Sequence, residues 1–235
     1  MAETGLRMMF FKDGRYRMIN PQTLYVTQGS GNCFKPALVA HQLRLRCTLS
    51  YLDVLAGETR QPLYLGINPR GVVPYLAFPD GRGLHESNAI AWYLAEGSVL
   101  MPNTRLSRAQ AVSWMNFEQT TLEANISPIR FFTHIAPELA GDSVEMFTLW
   151  RDRGNAGLSV LDSHLQTQDF ITQYGYSVAD IAVFGYTHLA NEGGFNLADF
   201  PAISAWIERV ENQADYLAID SLLDGAGRDE GIRAA

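Results

Sequence analysis

Every strand-like segment of this 235-residue chain lies in its first hundred residues, and this one-sided distribution constrains the fold most. Leu24-Tyr25-Val26-Thr27 reads as a short strand of β-formers. Gly29-Ser30-Gly31-Asn32 breaks it. A helical pattern follows, with Phe34, Leu38, His41 and Leu45 on one face and Pro36 in the first turn. Cys47 to Val54 reads as a second strand and completes a βαβ unit. Thr59 to Leu65 forms a short helix before the dense turn chemistry of Asn68-Pro69-Arg70-Gly71. Val72 to Phe78 is a third strand, interrupted by Pro74. Pro79 to Gly83 turns it back onto a very short strand at Leu84-His85, an antiparallel hairpin. Glu86-Ser87-Asn88 then opens a helix that carries Ile90, Tyr93 and Leu94 on one face and stops at Gly97.

From Ser107 onward the patterning is helical only. Ser107 to Gln110 reads as a capping box ahead of a long helix through Trp114, Phe117 and Leu122, which Pro128 should kink or end. Val144 to Leu165 makes another long helix. Ser177 to Asp180 caps a third, flanked by Tyr176 and Ile181 as a staple and running to Gly193-Gly194. Pro201 opens a last helix with Ile203, Trp206, Ile207 and Val210 on one face. The organisation expected is an extension over 1–22, a mixed α/β unit over 23–99, an all-helical unit over 105–224 and a frayed tail over 225–235.

Composition narrows the partners. Hydrophobic residues make up 47% and charged residues 18%, which excludes disordered and collagen-like classes. The net charge is 18 − 25 = −7; residues 1–100 carry 10 basic and 7 acidic side chains, and the acidic excess lies in the remainder. Such a chain is a poor partner for nucleic acid or an anionic membrane. No apolar run reaches the roughly 18 residues of a membrane span, so the reading is soluble and cytoplasmic. Two cysteines, Cys33 and Cys47, with no CxxC, and five histidines with no metal spacing give no disulfide framework and no metal site.

Three places can carry chemistry. The loop Gly29 to Lys35 sits between a strand and a helix, where phosphate loops also sit. It lacks the Gly-Lys-Ser/Thr ending of a Walker loop, and Phe34 stands where a dinucleotide fingerprint needs its last glycine. Backbone N–H groups and the helix dipole still favour an anion there, such as a thiolate. Ser30 or Asn32 can donate to it, and Cys33 can have a lowered pKa of its own. Equally, Ser30 or Asn32 can simply cap the helix around a buried Cys33. Val73-Pro74 opens a strand, where proline cannot join the ladder; it is either an ordinary trans edge proline or a cis bond that turns the Val73 backbone outward. Glu86-Ser87 is either a favourable helix cap or a site for a ligand carboxylate and ammonium.

Taken in order, these motifs resemble the glutathione S-transferase family, in its bacterial form. The residues that carry the likeness are Ser30 to Lys35, Asn68 to Leu76, Leu84 to Glu96 and, more weakly, Ser177 to Ala182; together they span about 23–212. The resemblance implies a thioredoxin-like N-terminal domain (βαβ-α-ββα) followed by an all-α domain, usually as a homodimer. It implies glutathione as substrate, with Val73 before a cis Pro74 on its cysteinyl backbone and Glu86 and Ser87 on its γ-glutamyl end. Arg60 or Gln61 would reach its glycine carboxylate. Ser30 falls where many members place the hydroxyl that stabilises the thiolate, Asn32 is the next candidate, and Cys33 lies out of register with cysteine-type classes. The second substrate would lie between the domains against Trp114, Phe117, Arg130, Phe131 and Phe132; for each aromatic, core packing is the equal alternative. The implied activity is transfer of glutathione to an electrophile, as in detoxification. Glutathione-dependent peroxide or disulfide reduction and a non-catalytic role through protein contacts are the alternatives.

Overall fold

The computed structural model describes residues 22–141 and 144–224 in full, and the backbone of 7–10, 16–19 and 227–228. Most of the N-terminal extension and of the tail lies outside the described residues. Arg7–Phe10 (β1) and Tyr16–Ile19 (β2) pair as an antiparallel ribbon.

The chain divides into two units, Met1–Met101 with Leu217–Ala235, and Pro102–Tyr216. The first has the thioredoxin-like arrangement. Gln22–Val26 (β3) leads through helix Gly31–Gln42 (α1) to the parallel strand Cys47–Tyr51 (β4). Pro62–Ile67 (α2) follows, then the antiparallel strands Tyr75–Ala77 (β5) and Gly83–Leu84 (β6), then Ser87–Ala95 (α3). The sheet order is β6-β5-β3-β4, and Gly227–Arg228 (β7) adds a parallel strand beside β4. The strand after residue 107 and the return of the chain were not legible: Ile219–Asp224 (α9) packs on α1 in the first unit, not in the helical one.

Burial explains why α1 is uniform where an amphipathic stripe is expected. Phe34, Ala37, Leu38 and Val39 are all at most 1% exposed, whereas His41, at the helix end, is exposed. Pro36 lies in the second turn rather than the first. A proline there removes a helical hydrogen bond, and packing on both sides of the helix outweighs it. Under the sheet, Tyr25, Leu52, Tyr64 and Tyr75 form a cluster against which Ile67, Val73 and Ala77 pack. The Tyr25 and Tyr64 rings meet edge-on at 5.3 Å. This cluster anchors the loop that leads into β5.

The second unit is all helical. Arg105–Phe117 (α4) begins one turn before the expected cap: Thr104 is the N-cap, and it and Ser107 close a reciprocal box. Pro128 does not end the run. Ala124–Arg130 (α5) continues it between π-helical stretches at Glu118–Glu123 and Phe131–Ile135. Wider turns on either side accommodate the proline while Ile126 and Ile129 stay fully buried. Val144–Leu165 (α6) matches its expected bounds. Val178–Thr187 (α7) is buried along its whole length, and it stops before a 3₁₀ turn at Ala190–Gly193 rather than running through it. Pro201–Glu211 (α8) seats Ile203, Trp206 and Val210 at 0% exposure. No described helix is long and apolar enough to cross a membrane.

Candidate active site

The first unit brings the N-terminal ends of α1 and α3 together. Ser30 is the N-cap of α1, and its Oγ accepts from the Cys33 N–H at 3.2 Å. That leaves its hydroxyl proton for another acceptor. Asn32, in the first turn, accepts at Oδ1 from Lys35 Nζ at 3.0 Å and from Ser87 Oγ at 2.9 Å. Ser87, buried, is the first residue of α3. Residues 55 apart in sequence thus share one oxygen. Both helix ends contribute partial positive charge to this place.

Glu86 precedes α3 with φ at +68°. This is a region that L side chains avoid, at a cost of about 1–3 kcal/mol. Unlike α1, α4 and α7, helix α3 has no side chain capping its first turn. An uncapped helix N-terminus suits an anion. The Glu86 carboxylate pairs with Arg70 at 2.9 Å, with the two side chains 61% and 55% exposed. So exposed a pair is worth ~1 kcal/mol or less and yields readily to a ligand.

The loop into β5 is held from beneath. The Val73–Pro74 peptide is cis. Just before it, the Val72 carbonyl accepts from Tyr64 Oη and from Asn68 Nδ2, each at 2.8 Å. Asn68 Oδ1 takes the Arg70 N–H at 3.2 Å, and Arg60 Nη1 reaches the Arg70 carbonyl at 3.3 Å. Gly71 has φ +60°, and a Cβ there would lie 2.8 Å from both Arg60 Nη1 and the Thr59 carbonyl. Only glycine fits this turn. Gln61 forms the N-cap of α2 with no side-chain cap bond. The contacts of Tyr64, Asn68, Arg70 and Lys35 went unread in the sequence. Asn68 and Arg70 sit in a turn motif and Lys35 closes another, but Tyr64 reads only as one apolar position of a short helix.

Two further candidates sit in closed surroundings. Cys33 is 0% exposed, and burial pushes its thiol up to about 11 against the pull of Ser30 and the Thr27 backbone. A thiol so placed favours its protonated form. Arg130 is also committed: its side chain is 6% exposed and its Nε lies 2.6 Å from Glu192 Oε2. That guanidinium is engaged by an ion pair within the helical unit. Trp114 packs edge-on to Phe117 at 5.2 Å and tilted on His164 at 4.4 Å. Phe131 packs edge-on to Phe132 at 5.2 Å. All four aromatics keep part of their surface open. Among the described residues no group of His, Cys, Asp and Glu could hold a metal.

Residues 29–96 match the glutathione S-transferase N-terminal domain, and residues 151–214 match its C-terminal domain. The chain resembles the crystal structure of a possible glutathione S-transferase from Rhodopseudomonas palustris, with 41% identity and a TM-score of 0.81 over 85% of this chain and 90% of that one. It is 28% identical to the disulfide-bond oxidoreductase YfcG of Escherichia coli, over 77% of this chain and 86% of that protein. It is 33% identical to elongation factor 1-gamma of Danio rerio over 84% of this chain, but spans only 45% of that protein.

Proposed function

The chain belongs to the glutathione S-transferase family, and on that premise we propose that it binds glutathione in its first unit and activates the thiol for attack on an electrophile. The observation that carries the reading is the Ser87–Asn32 contact at 2.9 Å, which joins the ends of α1 and α3. In this reading Ser30 and Asn32 donate to the sulfur. The uncapped end of α3 takes the γ-glutamyl carboxylate, and Glu86 exchanges Arg70 for the ammonium. Val73 pairs with the cysteinyl backbone, its neighbour Val72 held by Tyr64 and Asn68. Arg60 and Gln61 stand nearest in sequence to the glycine carboxylate's expected place, although the Arg60 guanidinium must share itself with the Arg70 carbonyl.

The chemistry then asks little of the protein. Lowering a thiol's pKa by about one to two pH units stabilises the thiolate by ~1.4–2.7 kcal/mol. The thiolate attacks a carbon electrophile, a peroxide or a disulfide. Trp114, Phe117, Phe131 and Phe132 are the proposed apolar contacts of that second substrate. We place the protein in the cytoplasm as a homodimer acting in detoxification. Disulfide reduction is the second reading, favoured by the kinship with the Escherichia coli oxidoreductase.

Ultraviolet absorbance of bound glutathione tests the assignment. Ser30→Ala should lower the thiolate-to-thiol ratio by about tenfold, one pH unit, while glutathione still binds. Unchanged absorbance would remove Ser30 as activator. Turnover on a panel of electrophiles, peroxides and disulfides separates the transferase from the reductase; binding without any turnover would favour a non-catalytic role.

A further inference from the structure

We propose that Tyr64 is a positioning residue of the loop into β5: its hydroxyl sets the plane of the Val72–Val73 peptide and so aims the Val73 N–H at the cysteinyl carbonyl of glutathione. The proposal rests on the glutathione reading above. Tyr64 is 0% exposed and sits among Tyr25, Leu52 and Tyr75. Phenylalanine would suit such a cluster, because a buried hydroxyl costs stability unless it is hydrogen-bonded. This hydroxyl has a defined target: it donates to the Val72 carbonyl at 2.8 Å. Burial pushes the phenol above its ordinary 10, so the donor proton is kept at neutral pH.

The same carbonyl takes Asn68 Nδ2 at 2.8 Å. Asn68 is also 0% exposed. Its Oδ1 takes the Arg70 N–H at 3.2 Å, which fixes the amide with its nitrogen toward Val72. Two buried donors, one in α2 and one at its end, therefore hold one oxygen, and the Val72 carbonyl points inward. Among the described residues only the Val73–Pro74 bond is cis, so the Val72–Val73 peptide is trans. In a planar trans peptide the C=O and the N–H point in opposite directions. The Val73 N–H is thereby turned away from Tyr64 and Asn68, and it makes no hydrogen bond among the described residues. Val72 is 37% exposed and Val73 is half-buried, so this side of the loop is open to a ligand. An N–H held there recognises a hydrogen-bond acceptor such as a peptide carbonyl.

The test measures affinity for two ligands by calorimetry. One is glutathione. The other is an analogue in which a trans carbon–carbon double bond replaces the Cys–Gly peptide, removing the cysteinyl carbonyl. Wild type should prefer glutathione about tenfold. Tyr64→Phe should weaken glutathione binding about three- to tenfold and leave the analogue within about twofold. At saturation its bound glutathione should keep the wild-type thiolate absorbance. Tyr75→Phe, which removes a hydroxyl that lies over Gly83 in the same cluster, should change neither affinity. Should Tyr64→Phe fail to fold, Asn68→Ser removes the other donor to Val72 and should show the same selective loss. Unchanged glutathione affinity in the folded variant overturns the proposal. So does equal weakening of both ligands, because Tyr64 would then only hold the loop together. Wild type that binds both ligands equally would overturn the Val73 pairing itself, and wild type that binds neither would overturn the glutathione reading.

Discussion

Asp180 should be the most consequential single carboxylate in the helical unit. It is 0% exposed. Its Oδ1 takes the Ile171 N–H at 2.8 Å and the Trp206 indole N–H at 3.1 Å; its Oδ2 takes the Ser177 N–H at 2.9 Å and the Ser177 hydroxyl at 3.1 Å. Asp180→Ala leaves three fixed N–H donors buried without this acceptor, since the hydroxyl alone can rotate. At about 1–3 kcal/mol for each orphaned donor the loss is at least ~3 kcal/mol. That is a large share of the ~5–15 kcal/mol by which domains are stable. Trp206→Phe removes one donor together with part of a fully buried ring, so it should cost about 1.5–3 kcal/mol for the bond plus a packing loss. In the Asp180→Ala background the indole has already lost its partner, so Trp206→Phe should then cost only the packing loss. Urea unfolding of the four proteins at about pH 7.5 closes the cycle, because the carboxyl, raised by burial to about 6, is ionised there. The expected coupling is ~1.5 kcal/mol or more. If the two losses add to within ~0.5 kcal/mol, the indole is not bound to Asp180 and the account of this network is wrong.

Three further outcomes are expected. Cys33→Ala should keep thiolate formation and turnover; steady-state assays that show activity lost in a folded variant would restore Cys33 as a participant. Gly154→Ala should destabilise the protein by about 1–3 kcal/mol, since the new Cβ would lie 2.5 Å from the Phe195 ring, while Gly66→Ala in α2, with nothing within 4 Å, should change stability little or raise it; thermal unfolding of both decides. His188 stacks on Phe184 at 4.1 Å and burial lowers its pKa from 6.5 to about 4, so its neutral form contributes stability that is intact above pH 6.5 and lost as pH falls through about 4. Asp180 has the opposite sense: its folded value lies above its ordinary 3.8, so the folded state binds the proton better and stability declines as pH rises from about 4 to 6. The two offset one another, and His188→Phe should expose a stability that rises on acidification over that window; a profile unchanged from wild type would refute the assignment.

What the sequence disclosed and what it withheld follow one physical division. Local backbone chemistry was legible. Ser30 and Ser177 cap their helices because a short oxygen side chain is needed where the first N–H groups lack partners, and α6 begins and ends where its pattern does. Even the misplaced cap at Ser107 erred by only one turn, because Thr104 and Ser107 each act on the other's backbone. Outcomes set by packing were not legible. Pro128 and Pro36 remain inside helices because buried neighbours outweigh a lost bond. The pairing of Arg130 with Glu192, 62 residues away, and the closing of the core over Cys33 are likewise set by packing. The order of motifs still pointed to the right family, because each motif is a local turn or cap that must be spelled in adjacent residues. The way those motifs cooperate is a tertiary fact. Asn32 meets a lysine one turn along its own helix and a serine on another, and only the fold brings about the second contact.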